Sequence, residues 1–421
     1  MPPAADSTLP LPIDGDAREA PPGGAACLAR PAGLFALGLA GFSAFLGVYA
    51  TQPLLPMLER VFGVSKAAAA LTVSAPTVAV ALASPFFAIA ARRFGHRAVI
   101  GASLLALPVP MLLAATSPGV PALVAWRFLQ GLVVPGVYAV TMAFIAEAWP
   151  AHRLGQAMAT LVTGNVIGGF SGRVLSGFAA EADGWRASFV VLGIVTAIAG
   201  VTASRLLPRV ARPHPPTDDG PTLDARALLG EPRLLATFAV GFNVLFTLVA
   251  TFTYVTFHLA APPFGLGTGA LSAIFTVYLV GAVVTPLAGR WIDKVGSRRA
   301  ISIALAGVLA GLALTLAQAL WLVVLGLAAV SSAVFVSQSA STAFLRTAAP
   351  ARVRTVASGL YVTAYYFGGA VGGVAPALSW RLGGWRGVVT LLALVQVATL
   401  AIAQRHWRSR AHEPVDTPPG A

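Results

Sequence analysis

The sequence predicts an all-α integral membrane protein of twelve transmembrane helices in two six-helix halves, on three observations. Of 421 residues, 57% are hydrophobic and only 10% charged, too little polar surface to cover a water-soluble chain of this length. Apolar stretches recur from end to end, with a mean hydropathy of +0.79. One long polar interruption and an internal repeat at a spacing of 200 residues divide these stretches into two sets of six.

Read with a window of about 19 residues, the spans fall near 31–58, 67–91, 98–117, 119–148, 153–180, 184–206, 233–260, 268–292, 299–318, 320–346, 352–381 and 384–404. Each is about 18–30 residues long, enough to cross a hydrocarbon core of about 30 Å. Lipid offers no hydrogen bonds, so each is expected to be a helix. Residues 1–30 carry Asp6, Asp14, Asp16, Glu19 and the lone cysteine, Cys27, among Ala, Pro and Gly. They read as a disordered cytosolic tail, neither a signal nor a transit peptide. Residues 208–230 read as a cytosolic linker between an N-terminal half, 31–207, and a C-terminal half, 231–404, and 405–421 as a second cytosolic tail. A single cysteine leaves no disulfide framework or thiolate metal cluster to expect.

The repeat aligns LVTGNVIGGFSGR at 161–173 with YVTAYYFGGAVGG at 361–373, matching Gly168, Gly169 and Gly172 to Gly368, Gly369 and Gly372. The same spacing pairs Gly184-Trp185-Arg186 with Gly384-Trp385-Arg386. Parallel six-helix repeats are the arrangement that lets a carrier rock around a midplane site. A net charge of +13 is then a record of topology rather than a nucleic-acid surface. With both termini in the cytosol, twenty-one of the twenty-eight Lys and Arg lie on that side and five opposite, which predicts N-in, C-in in a cytoplasmic (inner) membrane.

Three motifs carry chemistry. Gly289-Arg-Trp-Ile-Asp293-Lys-Val-Gly296-Ser-Arg298-Arg299 lies in the tight loop after the eighth span, where glycines let helices turn and Asp293 can sit at a helix N-terminus. The matching first-half loop keeps Gly95 but has Arg92 where the acid would be. In the fourth span, Arg127-Phe-Leu-Gln130-Gly131 puts a guanidinium about 12 Å inside the outer boundary. The fifth span carries Gly155, Gly164, Gly168, Gly169 and Gly172, with Asn165 and Arg173 on nearly one face.

The first two of these motifs resemble the GxxxDxxGxR loop and the intramembrane RxxQG of the major facilitator superfamily, and the glycine run resembles the motif of its antiporter branches, with Gly169 for the expected proline. The run Tyr49-Ala-Thr-Gln52-Pro53-Leu-Leu-Pro56, with Gly164-Asn165 and Gly172-Arg173, is most similar to the efflux permeases of the acriflavine-sensitivity or sugar-efflux type. The resemblance implies the fold of that superfamily and a monomeric secondary transporter in the lipid bilayer that exchanges a drug-like, sugar or organic-anion substrate for protons. It also implies that Arg127 serves either proton coupling or anchoring to the first helix. Arg173 either faces a cavity or snorkels outward.

In that fold the first, fourth, seventh and tenth helices line the cavity. Polar and aromatic residues gather on the corresponding spans. Candidate substrate-binding or coupling residues are Tyr49, Gln52, Arg127, Gln130, Tyr138, Asn165, Arg173, Asn243, Tyr254, Gln338 and Tyr365, and candidate gating residues are Arg92, Gly95, Glu147, Arg153, Gly164, Gly168, Gly172, Gly289, Asp293, Gly296 and Arg298. The third, sixth, ninth and twelfth spans read as lipid-facing padding. None of the fifteen acids lies in mid-span, so two intramembrane arginines favour an anionic or neutral polar substrate over a cation. No cofactor, metal or nucleic acid is called for. An enzyme would need a nucleophile or metal constellation, and the chain has no HExxH or GxSxG. Uptake of a small anionic metabolite by symport or uniport is the alternative within carriers, and the twofold repeat disfavours a channel or receptor.

A cation at position 92 facing a helix N-terminus repels where an acid would attract. Arg92→Asp is therefore expected to shift the protein toward an outward-open state, read as slower labelling of thiols introduced on the cytosolic side.

Overall fold

The first apolar stretch is a broken helix, and its sequence explains the break. Helix α1 (Pro31–Leu46) gives way to a turn ahead of Pro53 and Pro56, neither of which has an N–H for the carbonyl four residues back. The chain tightens instead. Val48, Ala50, Gln52 and Leu54 donate to Phe45, Gly47, Tyr49 and Thr51, three residues back, at 3.0–3.3 Å, the pattern of a 3-10 turn. Such a turn (Gln52–Leu54) and α2 (Leu55–Phe62) complete the stretch.

The computed structural model describes residues 31–208, 230–350 and 353–407. The expected tail 1–30, linker residues 209–229 and the end of the chain from 408 lie outside the described residues, as does Arg352. Helix α3 (Lys66–Phe94) contains Pro76 and Pro85 and is capped by the Ser65 hydroxyl, which accepts from the Ala68 N–H. Helices α4 (His96–Ala106) and α5 (Pro108–Ala114) run on through Leu107, which keeps helical dihedrals. Then come α6 (Val120–Ala148) and α7 (Ala151–Leu206), the latter two helices joined at Asp183 and Gly184, whose dihedrals are not helical. The second segment holds α8 (Pro232–Ala260), α9 (Thr268–Ile274), α10 (Val277–Val295), α11 (Ser297–Leu314), α12 (Leu320–Ala348), α13 (Arg354–Val374) and α14 (Pro376–His406). The last is broken at Gly383 and Gly384.

Among the described residues eight helices are long and apolar enough to cross a membrane, and α1 and 268–281 are shorter apolar helices. This differs from twelve uniform spans. The first, eighth and eleventh stretches are interrupted, at Gly47–Thr51, at Phe275–Thr276 and at Ala375. Two of these breaks precede prolines, and at the third Phe275 and Thr276 fall into bonds three residues back.

The sequence repeat is a repeat of contacts. A Cβ on Gly168 would overlap the Phe42 carbonyl and one on Gly172 the Leu46 carbonyl. Two hundred residues on, Gly368 and Gly372 face the carbonyls of Phe242 and Phe246 in the same way. Glycine lets α7 touch α1, and α13 touch α8, backbone to backbone. The turns repeat as well. Gly95 (φ 87°, ψ 143°) and Gly296 (φ 82°, ψ 147°) share one conformation, open mainly to glycine. Just beyond them, Arg97 Nε donates to Leu207 O at 3.1 Å and Arg298 Nη2 to Gln404 O at 3.0 Å. At the other pair of turns, Arg186 Nη2 donates to Ser117 O and Trp385 Nε1 to Thr315 O, both at 3.1 Å.

These contacts define two ends of the bundle. The basic end gathers thirteen of the described Lys and Arg, among them Arg92, Arg97, Arg153, Arg298 and Arg346; the far end has five: Arg60, Lys66, Arg186, Arg381 and Arg386. Between the ends apolar side chains point outward, such as Phe86, Ile198, Val283 and Leu394, all more than half exposed without lipid. Helix α8 is central, with 83% of its most apolar window buried, against 33% for α14.

Gly172→Val is expected to force α1 and α7 apart, costing about 1–3 kcal/mol or more by overpacking and lowering the thermal midpoint of the detergent-solubilised protein. Gly155→Ala, inside the same helix where an added Cβ meets open space, is expected to keep that midpoint or raise it slightly.

Candidate functional site

Arg127 is 1% exposed and almost fully engaged. Its Nε donates to Thr72 O at 3.0 Å, Nη1 to Gly47 O at 2.7 Å and to Gln130 Oε1, and Nη2 to Val48 O at 2.5 Å. Each acceptor has a local cause. The tightened turn after α1 bends the Gly47 and Val48 carbonyls aside, and Pro76 cannot donate to Thr72, four residues back. Gly131 completes the arrangement, since a Cβ there would run into Pro76 and Ala79 of α3. The motif's three residues thus supply the guanidinium, the amide that orients it and the space for α6 to approach α3.

Between the two segments lies a cluster of tyrosines. The Tyr138 ring stands edge-on to Phe45 at 4.9 Å, with Asn165 of α7 nearby. Tyr365 packs near Tyr361 (6.4 Å) and Tyr366 (5.5 Å), with Tyr49 and Tyr138 of the first segment in its neighbourhood. The Tyr361 hydroxyl shares a 2.7 Å hydrogen bond with Ser341 of α12. Gln338, on the same helix, is half-buried.

The far end closes this space. The helices that pack across the two segments include α3 with α13, α7 with α9, and α8 with α2 and the 3-10 turn. They meet where Ser74 faces Gly373 and Ser272 faces Gly177. Gln52 Nε2 donates to Thr253 Oγ1 at 3.2 Å, and Gln52 Oε1 accepts from Arg173 Nε at 2.8 Å. Arg173, 4% exposed, neither snorkels nor faces an open cavity. Its Nη1 donates to Gly169 O at 2.7 Å, and its guanidinium lies over Tyr278, Tyr49 and Phe275.

Two expected site residues sit elsewhere. Asn243 exchanges amide hydrogen bonds with Gln396 of α14, at 3.0 and 3.2 Å, and accepts from Thr247 at 2.9 Å. It faces the α8–α14 contact, at the floor of an apolar lateral groove of about 410 Å³ lined by Phe238, Phe242 and Val395. Tyr254 is wholly buried, donates to Gly373 O at 3.0 Å and packs against Trp380. Both residues lie along the seventh span, and a helix buried nearly all round has no single inward face. The twelfth span is correspondingly not plain padding. Gln396 is buried in it, and the signal was an isolated amide in an otherwise apolar helix.

At the basic end, His96 Nδ1 lies 3.6 Å from Glu147 Oε2. Arg92, Arg153 and Asp293 are exposed, and among the described residues the ion pairs are this one and Glu59 with Lys66. Arg298 anchors α11 to the end of α14.

A family model of the Major Facilitator Superfamily matches residues 37–373 and, separately, 258–420. The chain belongs to the major facilitator superfamily. Among its relatives is the uncharacterised transporter YybF of Bacillus subtilis (strain 168), of the same superfamily type, 31% identical over 369 residues that cover 87% of this chain and 91% of that protein. The inner membrane transport protein YnfM of Escherichia coli (strain K12) is 28% identical over 373 residues, covering 88% of this chain and 89% of its own. Two solved structures share the fold at 15% identity. One is a bacterial homologue of the human lysosomal transporter Spinster, in an inward-facing and occupied conformation (TM-score 0.71, covering 90% of this chain and 98% of that one). The other is a mutant form of the nucleoside transporter NupG (TM-score 0.73, 89% and 100%). As a member of the major facilitator superfamily the protein is a membrane solute transporter and not an enzyme.

Each buried carbonyl left unpaired costs about 1–3 kcal/mol, so Arg127→Met is expected to lower the thermal midpoint sharply. Arg127→Lys, with a charge but no planar fork, is expected to recover only part of the loss.

Proposed function

We propose that this superfamily member moves a neutral, polar or aromatic solute by alternating access, as a proton-coupled efflux carrier. The observation that carries the substrate class is the tyrosine cluster between the segments, together with the engagement of both intramembrane arginines by groups of the protein itself. Guanidinium groups already satisfied by carbonyls, a glutamine and aromatic rings offer little to an anion, so the organic-anion possibility recedes. Rings and hydroxyls together suit sugars and planar drug-like solutes, which stack on one and hydrogen-bond to the other. This agrees with the resemblance to efflux permeases of the acriflavine-sensitivity or sugar-efflux type.

In this reading the chain folds as two six-helix halves with twelve crossings, 31–207 and 231–404, acting as a monomer. The basic end is cytosolic, as the excess of Lys and Arg there favours. With the cross-segment contacts at the far end, the conformation described is then closed to the outside. Gly164, Gly168 and Gly172 let the first and fifth helices move as one body. The turns at Gly95 and Gly296 join helix ends that must close in the opposite state, with Arg92, Gly289 and Asp293 in the last turns of the helices leading into them and Arg153 at the start of α7. Glu147 beside His96 is the titratable pair best placed for proton exchange, since among the described residues every acid lies at a helix end.

Proteoliposomes with an imposed pH gradient, screened with sugars and dyes and then with organic anions, test the proposal. Tyr365→Phe is expected to raise KM about two- to tenfold, the worth of one hydrogen bond, while Asn243→Ala leaves KM unchanged. Glu147→Gln is expected to abolish gradient-driven accumulation and keep counterflow. Selective export of organic anions or lipophilic cations with Tyr365→Phe unaffected would refute the substrate class.

A further inference from the structure

The contact that closes the far end between the two segments is built from cations of the first segment seated on aromatic rings of the second. Arg173 of α7 places its guanidinium carbon 4.6 Å from the Tyr278 ring centroid and 5.2 Å from that of Phe275. On the first-segment side it is held by the Tyr49 ring at 4.9 Å, by Gln52 and by the Gly169 carbonyl. Lys66, at the start of α3, repeats the arrangement toward the surface. Its ammonium lies 5.3 Å from the Phe257 centroid and 5.6 Å from that of Trp380, and is steadied by Glu59 at 2.5 Å. Both ion pairs among the described residues join groups within the first segment, so these two cations meet the second segment as cation–π contacts, while the Glu181 carboxylate of α7 lies against Gly267 and Gly269. The surrounding residues are small: Ser74 over Gly373 and Ser272 over Gly177 bring the backbones close enough for the rings to reach.

We propose that Arg173 and Lys66 are positioning residues of the transport cycle, two cation–π clasps that hold the far end shut and release each time it opens. The physical case rests on what each partner would lose. A guanidinium in the bilayer is costly unless it is compensated, and within the spans the described residues supply no carboxylate for Arg173. Tyr49, Gln52 and Gly169 stay with it when the segments part, so the charge is never stripped bare, whereas Phe275 and Tyr278 leave. The clasp is therefore strong enough to favour closure and weak enough to reverse, which a desolvated salt bridge would not be. Ring faces also bind a cation with little directional demand, so the contact survives small rocking motions that would break a hydrogen bond.

The inference rests on the alternating-access reading, and the test separates the two. In the full chain carrying Cys27→Ser, Ser272→Cys places a thiol in the sealed contact over Gly177, and its labelling by a membrane-impermeant maleimide reports opening of the far end. Arg173→Met, Tyr278→Leu and Lys66→Met are each expected to raise the labelling rate about tenfold, the ratio that about 1.4 kcal/mol gives. Tyr278→Phe, which keeps the ring, is expected to stay within about twofold of the parent. The double variant Arg173→Met/Tyr278→Leu is expected to open no further than either single change. Equal rates for Tyr278→Leu and Tyr278→Phe, or parental rates for Arg173→Met, overturn the clasp. A thiol placed by Ser188→Cys, buried within the first segment, reports loss of fold. Where Arg173→Met exposes it, the decision passes to Tyr278→Leu against Tyr278→Phe. A parent whose labelling never responds to any transported solute overturns the alternating-access reading itself, while a responsive parent with unresponsive variants overturns the clasp alone.

Discussion

A guanidinium held inside a bilayer must find acceptors, and the first segment is organised around that requirement. Arg127 meets it with three backbone carbonyls and one amide oxygen. Regular helices keep their carbonyls to themselves, so the acceptors exist only because two helices are locally irregular. Prolines at 53 and 56 follow the turn after α1, and Pro76 cannot close the bond to Thr72. The arginine and the prolines therefore depend on one another: the breaks give it acceptors, and it gives a charged donor to carbonyls whose other bonds are long, Ala50 N–H to Gly47 O at 3.3 Å and the Thr51 hydroxyl to Thr72 O at 3.4 Å. The same turn offers the Ala50 carbonyl to Ser176 of α7 at 2.7 Å, which ties the fifth span to the first beside the Gly172 contact. From this junction α1, α3, α6 and α7 take their mutual positions.

The second segment reaches a similar helix arrangement without an arginine. Asn243, Thr247 and Gln396 form a closed amide and hydroxyl network that joins α8 to α14, and Tyr254 reaches the Gly373 and Val374 carbonyls beside the break before Pro376. What the segments share is the glycine contact: α7 on α1 and α13 on α8, with Gly168 and Gly172 matched by Gly368 and Gly372. Polar anchoring has diverged while backbone contact has not, because a neighbouring carbonyl tolerates nothing larger than hydrogen, whereas a buried polar group can be satisfied in several ways.

Much of this was legible beforehand. Helical content, the central division and the gathering of basic residues at one end follow from composition and order along the chain. The turns at Gly95 and Gly296, the GWR corners and the closely packed fifth and eleventh spans follow from the repeat. The site was legible only in part. Tyr49, Gln52, Tyr138, Asn165, Arg173 and Tyr365 lie near the segment boundary, whereas nothing in the sequence sets Tyr278, Phe275, Tyr361 and Tyr366 apart from the other aromatics of the eighth and eleventh spans. Asn243 and Tyr254 share a stripe of the seventh helix with cavity-side expectations but bond away from it. A stripe says which residues share a face and not which neighbour that face meets.

The sequence by itself determined that this chain belongs in a membrane, which of its stretches are helical, and which glycines must lie against a backbone. Those are local properties, set by hydropathy, proline and the absence of a Cβ. Only the tertiary structure decided what the two intramembrane arginines do. Their charge was visible, but whether a guanidinium is free for a solute depends on acceptors and rings that are distant along the chain, from Gly47 and Thr72 for Arg127 to Phe275 and Tyr278 for Arg173. That is why two charges with no acid in the spans to offset them leave an anionic or a neutral polar solute open, and why, once their partners are seen, one of them holds the first segment together and the other bridges it to the second.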